Sequence, residues 1–199
     1  METLLPLTAR EGLDMEQEMA RRARRTHSAV FKAKVALAAM AGDKTYIPMA
    51  RGFVYLTAVM DWRSRKVLAA KIAITLEACH AVDVLAEALN RYGRPEIVNT
   101  DQGSQFTAQA FVQAVKECGG KLSMDGRGAR RDNVFVERLW KSVKYERVSL
   151  HAYDSVTEAQ TSIQHYLDWY NRFRPHSSLG KQTPDEAYAV MLPTVELAA

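Results

Sequence analysis

The sequence predicts an α/β fold: a mixed five-stranded sheet, made of an antiparallel meander extended by parallel strands, flanked by helices and preceded by an N-terminal helical extension. Three observations carry this. Residues 45–74 read with period two as "TYIPM", "FVYLTAVM" and, after "DWRS", "KVLAAKIAI", which is three consecutive antiparallel strands. The chain then alternates helical and strand patterns, the signature of strands added in parallel with helices on the faces. The 199 residues are 47 % hydrophobic, enough for a buried core.

Taken in order, "EGLDMEQEMARRARR" (11–25) is acidic then basic and predicts an exposed helix or a disordered arm. Ser28 is placed to cap a second helix with Phe31, Val35 and Ala38 on one face, ending at Gly42. The expected division is therefore 1–42 as a helical segment, 43–190 as the sheet-bearing core and 191–199 as a tail. After the meander, Leu76, Cys79, Val82, Leu85 and Leu89 recur at helical spacing and stop at Gly93 and Pro95. "EIVNTD" is a short buried strand, "SQFTAQAFVQAVKECG" a helix and "KLSM" a further strand. "DGRGARRDN" is a glycine- and arginine-rich loop, followed by the helix "VFVERLWKSVKYERV" and by "SVTEAQTSIQHYLDWYNRF", opened by a capping box from Ser155 to Glu158. "RPHSSLGKQTPDEAY" has the Pro, Gly and Ser of a surface-wrapping segment.

Composition excludes several classes. Apolar runs such as "GFVYLTAVM" fall far short of the ~20 residues a bilayer span needs, and "METLLPLTAR" does not read as a secretory signal, so a cytoplasmic address without membrane contact is expected. Cys79 and Cys118 lack metal-ligand spacing and are expected reduced and buried. The formal charge of +4 hides a local excess: residues 121–147 hold eight Lys or Arg against four acids, a pattern that suits a polyanion as well as a solvated helix face.

Two acids stand out. Asp101 ends a buried strand, where α/β sheets gather ligands, although an aspartate in "DQGS" also serves as a turn or helix cap. Glu137 shares a helix face with Lys141 and Lys144 while Val136, Leu139, Trp140 and Val143 form the apolar stripe; the plainer reading is an i,i+4 ion pair with Lys141. Carboxylates from different elements can hold Mg²⁺ or Mn²⁺, and two such ions about 3.5–4 Å apart stabilise the attacking and leaving oxygens of a phosphoryl displacement.

"NTDQGSQFT", "DNVFVERLWKSVKYE" and "YNRFRPHSSLGKQTPDEAY" together resemble the integrase core of insertion-sequence transposases of the OrfB type, relatives of retroviral integrases. The likeness covers roughly residues 45–190, and the 35 residues between Asp101 and Glu137 equal the family's interval from second Asp to Glu. It implies an RNase H-like fold, DNA strand cleavage and transfer by a DDE carboxylate set on two Mg²⁺ or Mn²⁺ ions, DNA ends and target DNA as partners, and an oligomer. By the same resemblance Lys141 and Lys144 contact DNA, and Arg127, Arg130 and Arg131 lie on the active-site loop.

The first carboxylate is expected at Asp43, in "GDKTYIPM", which aligns with the family's Trp-x-x-Asp-(Ile or Val)-Thr-Tyr. The tryptophan is missing, and Lys44 stands where an apolar residue belongs. "RRTHSAVFKAKVALAAMAGDKT" meanwhile resembles the start of OrfA, a small helix-turn-helix protein of the same elements, and the match stops before its recognition helix. A deletion joining OrfA to OrfB near residues 43–46 accounts for both departures. The alternatives are therefore a working core and an impaired remnant that binds DNA or intact transposase subunits, with Asp61 the rival to Asp43. Trp140 and Trp169 are expected in the core, and His176 in a structural hydrogen bond.

Overall fold

The computed structural model describes residues 34–39, 46–124 and 134–191. Strand β3 (Phe53–Asp61) is the long element and the organiser of a six-stranded sheet among the described residues. It forms an antiparallel hairpin with β4 (Val67–Ala73), Ala58 facing Ala70. Along its other edge it pairs antiparallel with two segments, β1 (Lys34–Ala39) and β2 (Tyr46–Pro48). β1 also pairs in parallel with β5 (Ile97–Thr100), which in turn pairs in parallel with β6 (Lys121–Met124). β3 is buried from Leu56 to Asp61 because both its faces are covered, which is why "LTAVM" is continuously apolar or small rather than alternating.

The expected helix from Ser28 to Gly42 is corrected by this sheet. Lys34–Ala39 is a strand, while the remainder of that helix lies outside the described residues. "KVALAA" has apolar or small residues at every position after the lysine, so a helical face read through Val35 and Ala38 fits a central strand equally well. With neighbours on both edges, the strand satisfies its backbone through β3 and β5. The chain accordingly divides between Phe31 and Lys32, so Lys34–Ala39 belongs to the sheet-bearing unit. The five-stranded expectation becomes six because β1 and β2 share one edge of β3.

Helices α1 (Ala78–Tyr92), α2 (Ser104–Thr107) and α3 (Gln109–Glu117) cover one face, packing Ala81, Val84, Leu85, Phe106, Phe111 and Val115 against Val59, Leu68 and Val98. The single helix expected here is two, α2 and α3. Ala108 leaves the helical region at φ −61°, ψ 140°, and the break brings Phe106 and Phe111 edge to face at 5.3 Å. In an unbroken helix two residues five apart would point about 140° away from each other. Both rings are fully buried, each worth roughly 1.5–3 kcal/mol relative to exposure.

Helices α4 (Val134–Glu146) and α5 (Val156–Phe173) cover the opposite face. Val136, Leu139, Trp140 and Val143 from α4 meet Val54, Leu56, Ala58 and Met60 of β3 and Ile163, Leu167 and Tyr170 of α5. Ser155 caps α5 by accepting from Glu158 N at 3.1 Å. β4 is an edge strand, and Asn171 of α5 serves it where a neighbouring strand would: its Oδ1 accepts from Val67 N and its Nδ2 donates to Val67 O, both at 2.9 Å. The C-terminal segment ends in α6 (Pro184–Ala189), started by a complete Thr183–Glu186 capping box. Lys66 pins it to the hairpin, 3.0 Å from Asp185 and 4.8 Å from the centre of the Tyr188 ring. Two burial expectations are corrected. Trp169 is 44 % exposed because the inward stripe of α5 runs through Tyr166, Leu167 and Tyr170, and Cys79 is exposed on α1 whereas Cys118 is buried.

Asn171→Ala would leave two backbone groups of Val67 without their partner. Urea unfolding is expected to show a loss of about 1–3 kcal/mol, against no more than about 0.5 kcal/mol for Gln164→Ala on the same helix.

Candidate active site

Asp101 follows the last residue of β5, beyond the fully buried Thr100. Val98 packs toward α1 and α3, so strand alternation places Asn99 and then Asp101 toward the α4 side. The Asp101 Oδ1 accepts the Gly103 N–H at 2.8 Å, which orients one carboxylate oxygen and leaves the other without a partner among the described residues. Gly103 is needed for that approach: a Cβ there would stand 2.9 Å from Asp101 Oδ1 and 2.5 Å from Gln105 Nε2. Beside it, the Gln105 amide is buried with no hydrogen-bond partner among the described residues. Unpartnered buried polar atoms next to a half-open carboxylate are what a site for a hydrated cation provides.

Glu137 lies in the first turn of α4, exposed, while Val136 and Trp140 turn inward. The ion pair with Lys141 does not form, and Glu137 has no hydrogen-bond or ionic partner among the described residues. Lys141 is exposed, and the Lys144 ammonium stands 5.9 Å from the centre of the Tyr145 ring. Asp43, Arg127, Arg130 and Arg131 lie outside the described residues, as does Asn133. Among the described residues no group of three or more His, Cys, Asp or Glu side chains could hold a metal ion.

Asp61 is placed as a turn residue. Its Oδ2 accepts from Ser64 N at 2.7 Å and from Ser64 Oγ at 2.6 Å, and it is 5 % exposed. Val35 pairs with both Asp61 and Val98, so Asp61 is level with Val98, three residues and roughly 10 Å back along the sheet from Asp101. The register of β1 and β2 bears on Asp43. Tyr46, Ile47 and Pro48 face Tyr55, Val54 and Phe53, so a strand running on from β2 would set residue 43 against Ala58; Ala38 of β1 holds that backbone position. Two residues on from the Ala36–Asn99 pairing, the same position is level with Asp101.

Behind α4 lies a polar cluster that the sequence pattern does not single out. Glu146 accepts from Arg174 Nη1 and, at 2.9 Å, from the Tyr166 hydroxyl. Burial pushes the Glu146 carboxyl up, but the hydrogen bonds from Arg174 and Tyr166 outweigh it and leave it below the ordinary value. Burial raises the Tyr170 hydroxyl to about 12 although Arg174 and Arg65 pull it down. His176 differs from expectation: its backbone makes the hydrogen bonds, to Gln182 O and from Lys181 N, while Nε2 is buried without a partner among the described residues, its ring edge-on to Tyr170. Burial, then Arg174 and Arg65, hold its pKa below 6.5. Among the described residues, concavities of about 390 Å³ between β4 and α5 and about 500 Å³ beside Arg147 and Tyr153 are lined by neither Asp101 nor Glu137.

Comparison with known proteins gives this geometry its family. Residues 36–129 and 119–184 each match the integrase core domain. The transposase of insertion sequence IS904 from Lactococcus lactis is 31 % identical over 160 residues, covering 79 % of this chain and 63 % of that protein. Transposase InsF of IS3A from Escherichia coli is 33 % identical over 149 residues, covering 73 % and 52 %. The chain belongs to the integrase-core family, and it spans between half and two thirds of the length of these curated relatives. The catalytic core domain of BIV integrase superimposes with a TM-score of 0.60 at 17 % identity, covering 80 % of this chain and 95 % of that one. The HTLV-2 integrase catalytic core domain in complex with magnesium gives 0.53 at 17 %, covering 80 % and 99 %. The fold is thus RNase H-like, as expected, and no described helix is long and apolar enough to cross a membrane.

His176 refuses a proton in the fold that the unfolded chain accepts near pH 6.5. Its contribution to stability is therefore complete above that pH and lost as pH falls below it. Thermal midpoints from pH 8 to 5 are expected to decline on the acid side, with a shallower decline in His176→Gln.

Proposed function

We propose that the chain is the catalytic core of a DNA transposase that cleaves and joins strands by metal-assisted phosphoryl transfer. The observation that carries this is a pair of carboxylates with oxygens left unpartnered among the described residues. Asp101 sits at the carboxyl end of a central strand beside unpartnered buried polar groups, and Glu137 stands on α4 without the lysine pairing that would use it. Asp43, Asp101 and Glu137 would hold two Mg²⁺ or Mn²⁺ ions. When bound, such ions polarise the phosphate and stabilise the attacking and leaving oxygens. The Gly103 N–H fixes the orientation of Asp101, and the stripe under α4 fixes the side from which Glu137 approaches. Lys141 and Lys144, with Arg127, Arg130 and Arg131, would neutralise DNA phosphates, so binding weakens steeply with salt. Element ends and target DNA are the substrates of this reading, and copies of the chain or intact transposase subunits its protein partners.

One observation favours the second reading, a remnant that binds DNA or transposase subunits without cutting. In the register of β1 the position opposite Ala58 belongs to Ala38 rather than to an acid.

Calorimetric titration of Mn²⁺ separates the two. A working core binds Mn²⁺, loses it at least tenfold in Asp43→Asn and in Glu137→Gln, and shows metal-dependent strand transfer. Binding that ignores Asp43 supports the remnant. In either case Lys141→Ala with Lys144→Ala is expected to weaken duplex DNA binding across sequences and to reduce the salt slope by about 1–2.

A further inference from the structure

The turn between β3 and β4 contains a residue whose backbone is harder to explain than its neighbours. Arg65 has φ 65°, the left-handed region, which costs a residue with a side chain about 1–2 kcal/mol and is usually given to glycine or asparagine. The backbone bonds of the turn close without its guanidinium. Arg65 N donates to Asp61 O at 2.9 Å, Asp61 N donates to Lys66 O at 2.8 Å, and Ser64 is held on the Asp61 carboxylate. The side chain has a further use outside the turn, beyond the one bond its guanidinium gives the Trp62 carbonyl.

That use is visible at α4. The guanidinium carbon lies 3.1 Å from the centre of the Phe135 ring, and Nη1 donates to the Trp62 carbonyl. Trp62 meets the same ring edge-on at 5.8 Å, so Phe135 is gripped between an indole and a planar cation. Phe135 is the second residue of α4, two before Glu137. The two stand about 200° apart around the helix, on opposite flanks of the buried stripe, so the angle at which Phe135 is held sets the angle of Glu137. At a side-chain radius of about 5–6 Å, a rotation of about 20° carries the carboxylate roughly 2 Å. Sites that bind through several side chains tolerate far less.

We propose that Arg65 is a positioning residue: by clamping Phe135 it sets the rotation of the first turn of α4 and hence the place of the Glu137 carboxylate. The inference rests on Glu137 being a metal ligand. It explains why an arginine occupies a left-handed corner, since stacking of the guanidinium on Phe135 offsets the backbone cost in the turn.

The same corner supplies the test. Arg65→Gly suits the left-handed backbone, so the backbone bonds of the turn are kept while the clamp, with its bond to the Trp62 carbonyl, is removed; Arg65→Lys keeps the charge without the planar face. Hydrogen exchange is read at the amides of Arg138, Leu139 and Trp140, which bond to the carbonyls of the first turn. Mn²⁺ affinity is read by calorimetry. Arg65→Gly is expected to unfold at the same urea concentration as wild type or higher, to exchange those amides at least tenfold faster with α5 unchanged, and to bind Mn²⁺ about tenfold more weakly. Arg65→Lys should not restore either property. Exchange unchanged in Arg65→Gly overturns the clamp, as does Mn²⁺ affinity equal to that of a metal-binding wild type. A wild type that binds no Mn²⁺ refutes the metal reading of Glu137 instead, and the exchange comparison then decides the clamp alone.

Discussion

A strand in the middle of a sheet must satisfy neighbours on both edges, and the slot between β3 and β5 is the constraint on which the rest of this molecule depends. Its occupant ties Asp61 to Val98 through Val35, and so sets how far β5 runs before Asp101 emerges. Lys34–Ala39 fills it with backbone pairing on both sides. A segment carrying an aspartate and a lysine would enter the same slot only against the desolvation of its charges, unless a bound cation compensates the acid. The proposed catalytic role of Asp43 thus depends on a competition between an apolar run and a charged one for a single place in the sheet.

The other side of the site is governed by α4. Four apolar side chains facing β3 and α5 settle which face of the helix is buried, and its flanks are left to Phe135 on one side and Glu137 on the other. The hairpin turn contributes twice: Asp61 is consumed in holding the turn, and Arg65 leaves it to meet the helix.

Much of this is legible in the residues. β3, β4, α1, β5 and β6 follow from period-two and helical spacing, and α5 from its serine cap, because in those segments local pattern and tertiary burial agree. Lys34–Ala39 reads wrongly as helix since a short apolar run bears the marks of both a helix and a buried strand. The break at Ala108 has no proline or glycine to announce it; only the need to bury Phe106 and Phe111 together explains it. Asp101 and Glu137 can be named from position and interval, but the unpartnered Gln105 amide depends on tertiary packing that no local pattern shows. Arg65 is hidden for a different reason, as its conformation is one that composition assigns to glycine.

The central claim is that Asp101 and Glu137 together bind a divalent ion. Paramagnetic broadening of backbone amide resonances on addition of substoichiometric Mn²⁺ tests it directly, since the effect falls off steeply with distance from the ion. The account predicts that Gly103, Gln105, Glu137 and Arg138 broaden together while Ser64, next to Asp61, and Tyr166, next to Glu146, stay sharp. Broadening centred on Asp61 or Glu146, or confined to one of the two proposed ligands, would contradict it.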